Sequence, residues 1–252
     1  MCARNRAYGS VVFLTATLVA LLVSPPAHAA PECTVSEERS RVRMETNLGT
    51  IEILLCDLDV PVTAANFLQY VDDGAYTNTG FVHRSVQGGS FIVQGGGFFI
   101  SGATFVAAVV SRPPIVLELA GLENLRGTIA MARTNAPDSA TNQWFINTQD
   151  NPQYNENYAV FGEIVLGMEV VDAMAAQGIW SLNPTLLSEV PLIDYPQGGA
   201  DYLDYLVYVT DVVRISGPPA EVPAAGPGAQ FLLAMLMGAA GLAGLARRRR
   251  RS

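Results

Sequence analysis

The sequence predicts a mainly β fold, a closed barrel that also carries two helices. Three observations predict it. Short apolar runs recur between turn-rich loops, as in Gly127–Ala132, Gln143–Asn147 and Tyr158–Phe161. Only two segments show helical spacing. Strands and helices do not alternate, which argues against a doubly wound sheet.

The elements follow in order. Arg41–Thr46 alternates as a half-buried strand should, Asn47-Leu48-Gly49 signals a turn, and Thr50–Cys56 reads as the partner strand of a hairpin. Pro61 opens a helix, with Phe67, Tyr70 and Val71 on one face and Asp73-Gly74 at its end. Phe91-Ile92-Val93 is strand-like between glycines. Gly167–Ala176 reads as the second helix, with Val170, Val171 and Met174 inward and Gly178 as its stop. Residues 179–204 read as a long Pro/Asn/Gly-bearing loop. Tyr205–Ile215 reads as a closing strand.

The ends of the chain differ from its middle. Residues 1–29 read as a secretory signal: Arg4 and Arg6, an apolar run from Val11 to Val23, and Ala27-His28-Ala29 as the cleavage site. Residues 30–40 are polar and read as a flexible segment, 41–216 as the folded domain, and 217–230 as a Pro/Gly/Ala linker. Residues 231–246 form an apolar helix candidate, and 247–252 carry five consecutive arginines. That helix is a little short of the ~20 residues of a comfortable membrane span, and its arginines belong on the cytoplasmic side. The Pro-containing motif, apolar helix and Arg cluster resemble a PEP-CTERM sorting signal. A plain C-terminal anchor is the other reading. Both place the middle of the chain outside, in the periplasm or at the cell surface, and make the export and sorting machinery a partner of the termini.

Composition narrows the chemistry. Between Ala30 and Pro219 there are eight arginines, no lysine and 22 acids, a formal charge of −14. Such a body repels nucleic acid. The absence of lysine removes Schiff-base and P-loop chemistry. One histidine and two cysteines in the body are too few for a structural zinc site, and no cofactor is expected. Cys33 and Cys56 could pair in an exported protein; Cys56 could equally be a small buried hydrophobe.

The stretch from Val82 to Gly97 holds five glycines, Arg84 and His83. No helix pattern follows the glycines, so a phosphate cradle does not fit. No GxSxG elbow exists, and Ser85 lies two residues from His83 on an extended segment, so a nucleophilic triad does not fit either. His83 reads as structural. What remains is Arg84, Gln94, Asn142 and Gln143, interleaved with Phe91, Trp144, Phe145, Tyr154 and Tyr158. Neutral amides, aromatics and one permanent cation suit an extended peptide. They also suit a reaction that needs no nucleophile, base or cofactor: rotation about an X–Pro amide.

Four segments carry a resemblance in order: VPVTAANFLQYV (60–71), HRSV…FIVQGGGF (83–98), RGTIAMARTNAPDSATNQWFIN (126–147) and YAVFGEIVLGMEVVDAM (158–174). Together they resemble the cyclophilin-type peptidyl-prolyl cis–trans isomerases, in the style of the bacterial periplasmic branch. The likeness runs from about Arg41 to Ile215. It implies an eight-stranded antiparallel barrel capped by two α-helices, Arg84 as the catalytic residue, and substrate contacts from Phe91, Ile92, Gln94, Ala132, Arg133, Gln143, Phe145 and Tyr158. The implied partners are proline-containing polypeptides, and the implied role is folding of exported proteins.

Three departures stand out. Nine residues separate Arg84 from Gln94, two more than the family's usual spacing. The rim position that holds Trp in cyclosporin-sensitive members falls at Gln153, which implies weak cyclosporin binding. The apolar segment 98–117 borders the site. The insertion and the sorting tail also suit a second function, a non-catalytic peptide-binding or surface-display module on the same scaffold.

Overall fold

The computed structural model describes residues 33, 34, 36, 39–77, 80–102, 105–199 and 201–215. The expected signal, linker, apolar helix and basic tail lie outside the described residues. Among the described residues no helix is long and apolar enough to cross a membrane.

β1 (Arg41–Thr46) and β2 (Gly49–Leu55) form the expected hairpin, joined at Asn47-Leu48. Their alternation buries Val42, Met44, Ile51, Ile53 and Leu55. α1 (Pro61–Asp72) starts on a proline, which suits a first helical position with no intrahelical N–H partner. It buries Phe67, Tyr70 and Val71, and Phe67 meets Phe161 at 5.0 Å between ring centroids. β3 (Gly80–Phe81), β4 (Arg84–Gly88), β5 (Ser90–Gly95), β6 (Phe98–Ser101) and β7 (Phe105–Ala108) follow. β8 (Thr128–Met131), β9 (Trp144–Asn147) and β10 (Val160–Leu166) come next, then α2 (Met168–Ala175). α2 turns Val170, Val171 and Met174 inward; it ends at Ala175, and Gly178 already belongs to the next strand. β11 (Gly178–Trp180), β12 (Val190–Leu192) and β13 (Tyr208–Ile215) complete the order.

One large sheet runs β4-β5-β9-β8-β10-β2-β1-β13-β3-β6-β7, antiparallel at every pairing. Among the described residues eleven strands thus stand in this sheet where eight were expected, and the order curls with no ladder among them joining its two ends. Two differences account for the count. The bent segment 80–88 is split into two strands, and the apolar segment after the glycines forms a hairpin of its own, β6–β7. Among the described residues the fold is mainly β with two α-helices.

The supposed loop 179–204 is the larger departure. It contains most of the β11–β12 pair, a bridge between Asn183 and Leu187, and a 3-10 turn that begins at Leu203. Leu187, Val190, Leu192 and Leu206 pack with Phe81 and Ile100 into a second core, beside Trp180, Tyr195 and Tyr205. The closing strand starts at Tyr208, three residues later than expected. Within 30–40, Cys33 is disulfide-bonded to Cys56, Thr34 bonds Asp59 through its N–H (2.9 Å) and hydroxyl (2.6 Å), and Arg39 pairs with Glu163 at 3.0 Å.

Candidate active site

Register decides what the site contains. Arg84 lies opposite Gln94 across β4–β5, and Val86 opposite Ile92. Gln94 in turn lies opposite Phe145 across β5–β9, and Phe145 opposite Ala130 across β8–β9. Strand alternation therefore puts Arg84, Ile92, Gln94 and Phe145 on one face. Ser85, Val93, Trp144, Ile146 and Ile129 take the other face and fill the core. The two extra residues before Gln94 lengthen the hairpin tip and leave Arg84 facing Gln94. Gly89, with φ of +76°, makes that tip. The tip is tied to the 3-10 turn Pro152–Tyr154: the Tyr154 hydroxyl bonds Ser90 Oγ at 2.6 Å, and Gln153 Nε2 donates to the Gly89 carbonyl at 3.3 Å.

The glycine run has a packing cause. At Gly96, φ is +79° and a Cβ would lie 2.5 Å from the Asn142 carbonyl; at Gly95 it would lie 2.6 Å from the Trp144 ring. The run lets the chain pass flat against β9. It presents no phosphate cradle.

The side chains then sort themselves. Gln94 Nε2 donates to Gln143 Oε1 at 2.8 Å, so these two amides form one unit. The Ala132 N–H donates to the Gln143 carbonyl at 2.9 Å, which seats Ala132 beside them. Phe145, Tyr154 and Tyr158 form a cluster of edge-on rings, with centroids 4.9–5.7 Å apart. Arg133 is engaged elsewhere. Its Nε and Nη2 donate to Asn157, its Nη1 to Thr134, and its guanidinium lies 5.2 Å from the Tyr158 ring centroid. Phe91 alternates away from Ile92 and borders a separate hollow with Val86, Gln87, Arg126 and Ala175. Asn142 is buried; its amide donates to Val109 and its carbonyl accepts from Tyr76. His83 is buried too, edge-on to Phe98 at 4.9 Å. Burial holds its pKa down at about 4, helped by the Arg84 charge and opposed by a hydrogen bond with Gln143. It is a neutral wall behind the site and no base.

Arg84 has a partner that the sequence reading lacked. Its Nε donates to Glu189 Oε2 at 2.7 Å, from the residue just before β12. No local pattern marks Glu189; it is one acid in a stretch whose folding depends on distant contacts. Tyr154 also joins the site through ring contacts that alternation alone does not reveal. The arrangement offers a fixed cation, a pair of neutral amides and an apolar aromatic floor, with no nucleophile aligned to attack among the described residues. It can bind an extended chain and stabilise charge that develops within it.

Comparison with known proteins agrees. Residues 41–191 match the family model described as cyclophilin type peptidyl-prolyl cis-trans isomerase/CLD. Peptidyl-prolyl cis-trans isomerase A of Dickeya dadantii is 42% identical over 179 residues, which cover 67% of this chain and 85% of that one. Peptidyl-prolyl cis-trans isomerase B of Escherichia coli is 41% identical over 167 residues, 61% of this chain and 93% of that one. Among solved structures, a cyclophilin type isomerase of Cryptosporidium parvum, crystallised in the presence of the dipeptide Ala-Pro, aligns with a TM-score of 0.52 at 25% identity, over 70% of this chain and 99% of that one. With the family model matched over residues 41–191 and relatives more than 40% identical, the chain belongs to the cyclophilin-type peptidyl-prolyl cis–trans isomerase family.

Proposed function

We propose that this chain is a peptidyl-prolyl cis–trans isomerase acting on X–Pro bonds of polypeptides. The observation that carries the reading is Arg84 held on the same face as Gln94, Ile92 and Phe145. Amide resonance sets a rotation barrier of ~18–20 kcal/mol. At the twisted transition state that resonance is gone and the prolyl nitrogen gains a lone pair. A guanidinium aimed at this nitrogen binds the twisted state better than the planar one, which is what lowers the barrier. Arginine suits the task because it stays charged and planar. Ile92 and Phe145 form an apolar seat for the proline ring. The Gln94–Gln143 pair offers amide groups to the flanking backbone, and Ala132 lies where that backbone would pair.

A closed scaffold would hold these parts still. We infer that the sheet closes through the bent segment 80–88. Its Val82 N–H donates to Val207 at 2.9 Å and its His83 N–H to Gln94 at 3.0 Å, bonds that reach toward both sides of the curl. On the location and termini of the chain, the reading remains that of the sequence. We propose an exported protein, periplasmic or at the cell surface, with a PEP-CTERM-like tail that is either cleaved or kept as an anchor. Its role there is to help exported proteins fold, and its affinity for cyclosporin is weak.

The test is cis–trans exchange of an X–Pro peptide with the purified full chain beside Arg84→Ala. The parent should exceed the uncatalysed exchange, which takes tens to hundreds of seconds. The variant should lose on the order of 10²-fold or more, as when a key transition-state donor is removed. A folded parent with no acceleration overturns the reading and leaves a peptide-binding groove.

A further inference from the structure

Glu189 touches two consecutive residues of β4. Its backbone carbonyl accepts from the Ser85 N–H at 2.8 Å, and its carboxylate accepts from Arg84 Nε at 2.7 Å. Its place is imposed by the second core. Leu187 and Val190 flank it, both buried with Phe81 and Ile100, and the Asn183–Leu187 bridge closes the loop just before it. This carboxylate is therefore delivered to the guanidinium by packing.

Stability is a poor reason for the contact. The two side chains are 45% and 37% exposed, and exposed ion pairs contribute little to folding. Positioning is a better one. A free arginine side chain samples many rotamers, a freedom that a bound substrate would otherwise have to remove. Binding at Nε fixes the guanidinium plane. It leaves the Nη groups without a hydrogen bond among the described residues. Gln94 faces Arg84 across the ladder but spends its amide on Gln143.

We infer that Glu189 is a positioning residue for Arg84, supplied by the 178–206 excursion. The inference rests on the isomerase reading, so its test separates the two. In the full chain, the Arg84 Nε–H resonance is assigned by its loss in Arg84→Lys, and kcat and KM are measured on an X–Pro peptide. The parent should show a protected, downfield Nε–H. Glu189→Ala should lose that signal and about tenfold in kcat, with KM within about twofold. Glu189→Gln, which keeps an acceptor without the charge, should keep the signal and recover most of kcat. Parent-like kcat in Glu189→Ala, or a rise in both variants, overturns the inference. A parent with activity but no protected signal overturns it and spares the isomerase reading. A parent with the signal but no activity overturns the isomerase reading and spares the pairing.

Discussion

At the scale of single residues, His83 has a measurable consequence. It is buried, its Nδ1 has no hydrogen bond among the described residues, and its pKa in the fold is about 4 against an ordinary value near 6.5. The unfolded chain therefore binds a proton at higher pH than the folded one does. The penalty is absent above pH ~6.5, grows as pH falls, and is complete below pH ~4, where it reaches about 3 kcal/mol. Urea unfolding of the parent should lose stability between pH 7 and 4.5 by more than His83→Gln does. Equal losses would mean that His83 is solvated and ordinary. This residue was legible in the sequence as structural, because no nucleophile could be placed beside it. Arg84, Gln94, Gln143 and Phe145 were legible through the family resemblance, because they stand inside its motifs; their shared face comes from the strand register. Glu189 was not, because its position depends on a core assembled from residues far apart in sequence. Arg133 and Phe91 sit in the motif yet point to other partners, since spacing along a strand does not reveal where a long side chain bonds or how a lengthened hairpin turns.

At the scale of elements, periodicity served where an element buries one face. The β1–β2 hairpin, α1 and α2 all carry that signal. It failed in 178–206, where β11 and β12 are only three residues each and offer too few positions to show a period. It also failed for β6–β7, an apolar stretch without clear alternation. The hairpin tip bears on inhibitor binding. Gln153, which the family resemblance puts at the rim position, is exposed, and its amide is spent on Gly89 and Asn151. A tryptophan there could give a large apolar contact and an N–H donor; a glutamine tied to the tip gives neither. Titration of the purified chain with cyclosporin, followed by intrinsic fluorescence or calorimetry, should show at most weak binding. A tight complex would mean that the aromatic cluster of Phe145, Tyr154 and Tyr158 replaces the missing tryptophan.

At the scale of the whole molecule, the start of the domain is fastened to its core by covalent and ionic ties together. Cys33 pairs with Cys56 across a sequence separation of 23, and both are buried. Thr34 is bonded to Asp59, and Arg39 to Glu163 and the Leu55 carbonyl. The loop that the disulfide closes spans the whole β1–β2 hairpin, the seam where β13 meets the rest of the sheet. Closing a loop of that length removes entropy from the unfolded chain worth about 3 kcal/mol. The non-covalent ties remain when the bond is cut, so the domain should stay folded and lose stability by about that amount. Urea midpoints of the oxidised chain and of Cys33→Ser/Cys56→Ser should differ accordingly, with a steeper slope for the variant, whose unfolded chain is no longer cross-linked. An unchanged midpoint would mean that the segment is held by its non-covalent ties alone. A stabilising disulfide requires a compartment that lets it form, which suits the proposed export.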